Sequence, residues 1–472
     1  MAAEVWTRTI RRGAIRAGVE GVGRAWLLSL GLLLMQSLVA AERWPLAVTI
    51  DDVPLSGAAC DPALVDGVNT RLLAQLAAAE VPATAFVVTA GGCHPEGVTQ
   101  ALTQARRWQA AGHTLGNHSA THRDYNALSA ADYLADLDRA EQALQPLWAS
   151  QPVRWFRPPL LHTGPDATRR QALQDWLDQH GQRMGVVTID NQEWLYAAAW
   201  AQAEANGDRA LQAAILSAYR QHLQAAVSAA RQWSRAGFDR DIAQVLLLHA
   251  NTLNAAHLGT VLADLRASGA EFVTLEQAST DPAHASPDRY VGPRGLSWLL
   301  RWLPEAQTAV VAEPREADWL ARLSGADAKA ARAQAIDQAL DAANQAFSNA
   351  WMAGDHAALA AAYGADGVLH PPAGGVLVGR AAIAEFWQRS LRPNNDAHHR
   401  LQTTLRQVHG DQVLELGRWH VERPDEQGQA ATSSGCYSLW WQVDEDEQWR
   451  IAFDTWTDVR PASWACVPRG TD

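Results

Sequence analysis

The feature that most constrains the fold is an alternation of short apolar runs with longer amphipathic stretches between residues 46 and 275. The apolar runs lie at Leu46–Ile50, Ala83–Val88, His113–Asn117, Val153–Phe156, Met184–Ile189, Val245–His249 and Glu271–Leu275. Stretches such as Ala131–Trp148 and Asp208–Trp233 separate them with helical periodicity. Strands that are apolar throughout are typical of parallel sheets buried on both faces. The pattern predicts an α/β fold, a distorted β/α barrel rather than an open sheet.

The first 41 residues have the composition of a targeting segment. Five arginines between residues 8 and 24 precede an apolar run from Trp26 to Val39, which Ala40 and Ala41 follow. The run is shorter than the about 20 residues of a membrane-spanning helix. We expect a signal peptide at 1–41 and a bacterial protein that is exported, periplasmic or secreted. The alternative is an uncleaved anchor, which would make this segment the only contact with the membrane.

A change in composition divides the remaining chain. Residues 42–302 correspond to the predicted barrel, and 303–333, with two prolines and a tract rich in Ala, Arg, Asp and Glu, read as a linker. Residues 334–458 predict two helices followed by strands at 401–409, 412–422, 431–443 and 448–454, a small α+β domain with a curved antiparallel sheet. Residues 459–472 form a C-terminal tail.

Charge and cysteine content exclude some classes of function. The chain has 39 basic and 51 acidic side chains, a net charge of −12. Proteins that bind nucleic acid present a basic face to the phosphates, so a nucleic-acid partner is not expected. The four cysteines are too few for a disulfide scaffold and lack the spacing of a zinc ribbon.

Two of the cysteines follow neighbouring predicted strands. Cys60 comes after the first strand and Cys93 after the second, and consecutive strands of a β/α barrel are usually adjacent. Because export would place them in an oxidising compartment, we predict a Cys60–Cys93 disulfide. Cys436 and Cys466 lie in the C-terminal part of the chain, and the sequence leaves open whether they pair.

Charged and imidazole side chains follow five of the predicted strands. They are Asp51 and Asp52, His118 and His122, Arg157, Asp190 and Glu193, and His249. Each signal is weak alone, because aspartates often cap helices or turns and histidines are often solvated or buried in a core. The C-terminal ends of barrel strands meet at one mouth, so the five together predict an active site there.

The residue types suggest metal-assisted hydrolysis of an acyl bond. Two histidines four residues apart lie on one helical face and, with one carboxylate of the aspartate pair, could hold a divalent metal that keeps open positions. Zinc suits this ligand set, and cobalt, manganese and iron are the alternatives. The other carboxylate could accept a proton from water, with Arg157 keeping it ionised. His249 could protonate the leaving group, oriented by Asp190 or Glu193.

These segments resemble the polysaccharide deacetylases, carbohydrate esterase family four, over roughly residues 44–302. The matching motifs, in the family's order, are TIDDVP (Thr49–Pro54), HSATH (His118–His122), RPP (Arg157–Pro159), DNQEW (Asp190–Trp194) and LLLH (Leu246–His249). The resemblance implies Asp51 as base, Asp52, His118 and His122 as metal ligands, His249 as acid and Arg157 as the arginine that orients the base. It further implies an oxyanion contact from the Leu160 N–H and substrate contacts from Leu160 and Trp194.

The motifs depart from the family pattern at four positions. Val53 replaces a glycine, Leu160 an aromatic residue, Glu193 an aspartate and Ala250 an acidic residue. These positions lie in the substrate groove more than at the metal. The departures therefore affect the expected substrate specificity rather than the expected catalysis.

The implied function is that of an exported metal-dependent hydrolase that removes N- or O-linked acetyl groups from a saccharide. One alternative is an amide hydrolase with a non-sugar substrate. The other is a non-catalytic carbohydrate-binding protein on the same barrel, against which the intact motif residues argue.

The C-terminal domain resembles the SnoaL-like or nuclear-transport-factor-like domains, which have a cone-like fold. The resemblance rests on Phe347–Tyr363 and Asp366–Trp387. Six side chains could line a cavity, although core packing is the favoured interpretation: Trp351, His370, Trp387, Trp419, Trp440 and Trp456. The family includes isomerases as well as binding and dimerising modules. Because this part of the sequence shows no acid/base pair, we expect an accessory domain, through which the protein could dimerise.

Overall fold

The computed structural model describes residues 43–57, 61–90, 97–325, 327–391, 397–424, 429–457 and 466. The predicted signal peptide at 1–41, Cys60 and Cys93 lie outside the described residues. Among the helices of the described ranges, none combines the length and the apolar character needed to cross a bilayer.

Seven parallel strands form the first sheet, and the predicted β/α barrel is confirmed. The strands are β1 (Trp44–Val53), β2 (Ala83–Val87), β3 (Thr114–Asn117), β4 (Arg154–Phe156), β5 (Gln182–Met184), β6 (Gln244–His249) and β7 (Ala270–Val273). Their order is β5-β4-β3-β2-β1-β6, and β7 pairs with the first half of β1. A parallel bridge between Ile189 and Leu246 brings the segment after β5 against β6. The sheet therefore nearly closes, which makes the barrel a distorted one.

Helices connect the strands and cover the barrel. They are α1 (Pro62–Ala79), α2 (Gly97–Ala110), α3 (Ala130–Leu144), α4 (Ala167–His180), α5 (Glu193–Ala205), α6 (Arg209–Phe238), α7 (Thr252–Ala267), α8 (Leu275–Ala278), α9 (Trp298–Trp302) and α10 (Glu305–Thr308). Side-chain caps start several of them; the Asp61, Ser129 and Asn251 side chains each accept an N–H of the first helical turn. Such caps satisfy N–H groups that have no partner inside the helix.

The strand predicted at Met184–Ile189 is wrong, because β5 ends at Met184. Beyond it the backbone bonds to neighbouring strands only near the two ends of the run: the Gly185 N–H donates to the Phe156 carbonyl of β4 at 2.7 Å, and the Ile189 N–H donates to the Val245 carbonyl of β6 at 3.0 Å. Two carbonyls of the run accept from a side chain. Arg157 donates Nε to the Gly185 carbonyl at 2.9 Å and Nη2 to the Val186 carbonyl at 3.2 Å. The apolar run therefore contacts both neighbouring strands and packs around Arg157, without forming one continuous strand.

The C-terminal domain combines three helices with a six-stranded sheet. The helices are α11 (Ala328–Ala353), α12 (His356–Ala361) and α13 (Arg380–Ser390), and the strands are β8 (Tyr363–His370), β9 (Leu377–Val378), β10 (His398–His409), β11 (Gln412–Pro424), β12 (Ala430–Val443) and β13 (Trp449–Trp456). The order is β10-β11-β12-β13-β8-β9. The expected purely antiparallel sheet is wrong in one respect, since β13 and β8 pair in parallel. Parallel neighbours need a long connection, and here a helix and four strands lie between them.

The segment between the two domains packs against the barrel. The Trp233 indole N–H on α6 donates to the carbonyls of Thr308 at 2.8 Å and Val311 at 3.1 Å. Trp319 has no exposed surface, and α11 begins at Ala328, inside the predicted linker at 303–333. Helix α11 also packs along α6, so buried side chains of the barrel and the C-terminal domain form one continuous hydrophobic cluster.

Cys436 of β12 pairs with Cys466, with an S–S distance of 2.03 Å. The sequence left this pairing open, and the bond ties residue 466 to the C-terminal sheet.

The Cys60–Cys93 disulfide stays a prediction. Peptide mapping of the non-reduced protein should recover the Cys60 and Cys93 peptides as one cross-linked species, beside a Cys436–Cys466 species that serves as an internal control. Labelling of Cys60 and Cys93 as free thiols would contradict the prediction.

Candidate active site

Two neighbouring aspartates at the end of β1 face a cavity of about 630 Å³. Consecutive strand residues normally point to opposite faces of a sheet. Here the pairing of β1 with β2 shifts register between Ile50 and Val53, and Asp52 has a left-handed backbone with φ of 59°. The irregularity lets Asp51 and Asp52 both line this space, which we call the active-site cavity.

His118 and His122 lie on a loop after β3, and the helix expected between them does not form. The loop winds around the buried Asp136 of α3, which accepts the backbone N–H groups of Ala120 and Thr121, each at 3.1 Å. His122 has a left-handed backbone with φ of 52°. This path brings the two imidazole centroids to 5.1 Å. The histidines therefore meet through a loop fixed by Asp136, so the interpretation as a helical face is wrong.

Asp52, His118 and His122 form a cluster whose ligand atoms lie within 4.8 Å of one another. The Asp52 Oδ1 atom is 3.1 Å from His122 Nε2 and 3.5 Å from His118 Nε2. This oxygen is buried and has no hydrogen-bond donor among the described residues. Leaving a buried carboxylate oxygen unpaired is unfavourable. A divalent ion would remove that penalty, so two imidazoles and one carboxylate fit such an ion.

The protonation states also suit a cation. The Nδ1 of His118 lies 2.8 Å from the Arg157 carbonyl, to which its N–H donates, so Nε2 keeps its lone pair for the cluster. Burial lowers the pKa of His118, which favours the neutral imidazole. Burial opposes the charge on Asp52, but its neighbours, chiefly His122 and His249, outweigh it and lower the pKa of this carboxyl.

Asp136→Ala is expected to weaken zinc affinity by about 10-fold. Residues that hold metal ligands in position typically contribute 10–100-fold to metal affinity. The variant frees the loop that positions both histidines. Titration against a chelator of known affinity measures the effect.

Asp138→Ala is the matched control. It lies on the same helix and accepts the Trp176 indole N–H at 2.8 Å, away from the loop. Equal zinc affinity in the two variants would contradict a positioning role for Asp136.

Asp51 is held by a buried arginine. Arg157 has no exposed surface and donates Nη1 to Asp51 Oδ1 at 2.6 Å and to Thr49 Oγ1 at 2.7 Å. Its guanidinium lies 4.0 Å from the centroid of the Phe86 ring. This packing leaves the guanidinium no freedom to move, so it stabilises the charge and the orientation of the Asp51 carboxylate.

His249 at the end of β6 is held by Glu193. Its Nδ1 lies 2.8 Å from Glu193 Oε2. The other carboxylate oxygen of Glu193 accepts the amides of Asn251 and Asn254. Burial opposes protonation of the imidazole, but the hydrogen bond and charge of Glu193 outweigh it and raise the pKa of His249 to about 9. His249 is therefore suited to donate a proton at neutral pH.

The remaining predicted residues border the cavity without joining these contacts. Asp190 Oδ1 accepts the Gln192 N–H at 3.1 Å, and burial raises the pKa of Asp190. Within the described residues, Asp190 makes no hydrogen bond to His249. Leu160 and Trp194 both line the cavity with about half of their surface exposed.

Asp136, Asn251 and Asn254 were not predicted from the sequence as site residues. Asp136 lies on the apolar face of the stretch Ala131–Trp148. A polar residue in that position was the sequence signal that could have identified it. Asn251 caps α7 by accepting the Asn254 N–H, so its position before a helix was visible, but its contact with Glu193 was not.

The C-terminal domain contains a separate cavity of about 170 Å³. Four of the six side chains named from the sequence line it: Trp351, Trp387, Trp419 and Trp456. His370 and Trp440 do not line it. The favoured interpretation of core packing was therefore incomplete for those four.

The solved structures that match this chain each align with one part of it. A CE4 family pseudoenzyme from Bacillus anthracis is 18% identical, with a TM-score of 0.34 over 50% of this chain and 66% of its own. An NTF2-like protein with a cystatin-like fold from Novosphingobium aromaticivorans is 18% identical, with a TM-score of 0.26 over 30% of this chain and 94% of its own. A ketosteroid isomerase-like protein from Erwinia carotovora atroseptica is 19% identical, with a TM-score of 0.23 over 26% and 96%.

Family models identify both domains. A search of curated protein sequences finds no match. Residues 40–176 match the family model for polysaccharide deacetylase, and residues 344–450 match the model for the SnoaL-like domain. Two successive parts of the chain are thus similar to two families, polysaccharide deacetylase and then SnoaL-like domain.

Proposed function

We propose that the protein is an exported, metal-dependent deacetylase that removes N- or O-linked acetyl groups from a saccharide. One observation carries the proposal: the cluster of Asp52, His118 and His122, with its unpaired carboxylate oxygen, shares a cavity with Asp51 and His249. A metal site, a supported base and a supported acid are the parts that hydrolysis of an acyl bond needs.

Asp52, His118 and His122 would hold the metal. Zinc fits two imidazoles and a carboxylate, and cobalt, manganese and iron are the alternatives. A divalent ion bound there would supply Lewis acidity to the acyl carbonyl and to water.

The other side chains divide the proton transfers between them. Asp51, fixed by Arg157, accepts a proton from the attacking water. His249, charged through its contact with Glu193, donates a proton to the departing nitrogen or oxygen. The Leu160 N–H donates to the oxyanion that forms on the acyl group. Trp194, half exposed at the cavity, contacts the sugar.

Acetate release from a panel of substrates tests the proposal. The panel comprises chitooligosaccharides, acetylated xylan, peptidoglycan and a simple aryl amide, each with the zinc-loaded protein and after chelation. We expect acetate from at least one saccharide, lost with chelator and restored by zinc. Turnover of the amide alone would favour the non-sugar hydrolase, and saccharide binding without turnover would favour a carbohydrate-binding protein.

A bell-shaped pH dependence of kcat/KM follows from the assigned roles. The reaction needs an unprotonated base and a protonated acid, and activity falls at high pH as His249, whose pKa is raised to about 9, loses its proton. Glu193→Gln removes the charge that raises the His249 pKa, so the basic limb should move down by about one to three pH units. Glu204→Gln, an exposed position on the same helix, is the control. An unchanged basic limb in Glu193→Gln would contradict the role of His249.

Export is proposed from the sequence of residues 1–41 alone. Mass spectrometry of the protein from the periplasm or medium should find an N-terminus at Glu42. Full-length protein in the membrane fraction would favour the uncleaved anchor.

Dimerisation through the C-terminal domain likewise remains a proposal, which sedimentation of the purified protein tests.

A further inference from the structure

A second histidine–aspartate pair borders the active-site cavity, and the proton transfers above leave it without a role. His162 lines the cavity, and its Nδ1 lies 2.7 Å from Asp124 Oδ1. The same carboxylate oxygen accepts the Asn126 backbone N–H at 2.8 Å, which fixes Asp124. The imidazole of His162 therefore has a defined orientation.

The surroundings of His162 force its loop into an unfavourable conformation. Leu160 and Leu161 have φ of 59° and 55°, a left-handed region that residues with side chains seldom adopt. Arg301, 1% exposed, donates Nη2 to the Leu161 carbonyl at 2.6 Å and Nη1 to Thr163 Oγ1 at 3.0 Å. Strained backbone that its neighbours hold in place is concentrated at binding and catalytic sites.

Gly295 completes the packing around this loop. A Cβ atom there would lie 2.0 Å from the Leu160 carbonyl oxygen and 3.4 Å from Cδ2 of His162. The segment at Gly295 therefore covers one side of the imidazole, and it fits only because the residue has no side chain.

The remaining nitrogen of His162 is free to bind a ligand. No described residue bonds to Nε2, while Nδ1 is engaged by Asp124. A hydroxyl group can pair with Nε2 in either protonation state of the ring, because it both donates and accepts. The described residues that line the cavity include no lysine or arginine, so neither of these side chains is placed to bind an anionic group of a ligand.

We propose that His162, oriented by Asp124, is a substrate-binding residue that hydrogen-bonds a hydroxyl group of an uncharged saccharide. The hydroxyl belongs to the sugar beside the acyl group, because His162 lies two residues from Leu160 on the same fixed loop. The proposal rests on the proposed function in one respect, that the ligand is a saccharide.

Saccharide affinity tests the proposal separately from catalysis. Calorimetry measures the Kd of chitotetraose and of acetylated xylotetraose for the zinc-loaded protein in an Asp51→Asn background, so that little ligand is consumed. His162→Ala should raise the Kd of at least one saccharide by about 10-fold, the upper range for one neutral hydrogen bond. His162→Gln should recover part of the affinity, because its amide can pair with the hydroxyl.

His180→Ala is the matched control. His180 lies on α4, its Nε2 is 3.5 Å from Asp138, and it does not line the cavity. It should change each Kd by less than about 2-fold.

A substrate without a hydroxyl group is the second control. In the otherwise unaltered protein, His162→Ala should reduce kcat/KM for 4-nitrophenyl acetate by less than about 3-fold.

Each outcome decides the proposal. The proposal is overturned if His162→Ala and His180→Ala bind saccharide with equal affinity, or if the parent protein binds neither saccharide. It is also overturned if His162→Ala reduces kcat/KM for the aryl ester by the same factor as it reduces saccharide affinity. Weaker saccharide binding in His162→Ala supports the proposal. If the unaltered protein nevertheless releases no acetate, the proposed deacetylase function is refuted and the binding role of His162 stands.

Discussion

Alanine at Asp52, His118 and His122 together is expected to abolish both zinc binding and acetate release. The variant removes all three candidate ligand groups, the Asp52 carboxylate and the two imidazoles whose Nε2 atoms lie 3.1 and 3.5 Å from Asp52 Oδ1. Elemental analysis after dialysis should give about one zinc per chain in the unaltered protein and close to none in the variant.

Each single alanine variant should also lose zinc, because two ligands hold a divalent ion far more weakly than three. His180→Ala, which removes an imidazole outside the cavity, should keep the metal and the activity. Full zinc occupancy in the triple variant would refute the assignment of the site.

Asp51→Asn is expected to keep the zinc and lower kcat by about 10²- to 10⁴-fold, the range typical of general acid–base groups. The amide has the same shape, and its oxygen can still accept the Arg157 hydrogen bond that is 2.6 Å long in the structure. It cannot accept a proton from water. Zinc content, melting temperature and kcat together separate a lost base from a lost fold, since a buried arginine without its charged partner also lowers stability.

His249→Ala provides the complementary comparison. It should also keep the zinc, and it should slow amide substrates more than activated aryl acetates, whose leaving group departs without a proton. Near-normal turnover by Asp51→Asn, or equal slowing of both substrate types by His249→Ala, would show that the roles are wrong even if the metal site is right.

The ends of the barrel strands could be predicted because burial on both faces leaves a local signature. An apolar run marks each strand, and the polar residue that follows it falls at the barrel mouth. On this basis Asp51, His118 and His249 were correctly expected at one cavity, and Arg157 lies behind it in contact with Asp51. It failed in part for residues 185–189, which are apolar but pair with the neighbouring strands only near the two ends of the run, because Arg157 takes up the carbonyls of Gly185 and Val186.

The finer geometry of the site depends on contacts between residues far apart in the chain. The spacing of His118 and His122 suggested a helix, but Asp136 imposes a loop through two backbone hydrogen bonds. The choice between Asp190 and Glu193 as the partner of His249 depended on the path from β5 into α5. Neither outcome has a local sequence signal, since each is decided by tertiary packing.

The continuous packing of α6 against α11 has a consequence for the whole protein. Side chains from the barrel and from the C-terminal domain share one apolar interior, and Trp319 lies in it without solvent exposure. A substitution that loosens either half therefore lowers the free energy of unfolding of the other, because neither half can leave this interior without exposing it to water. The C-terminal domain is thus a structural component of the barrel, and a truncation near residue 302 is expected to yield a destabilised fragment.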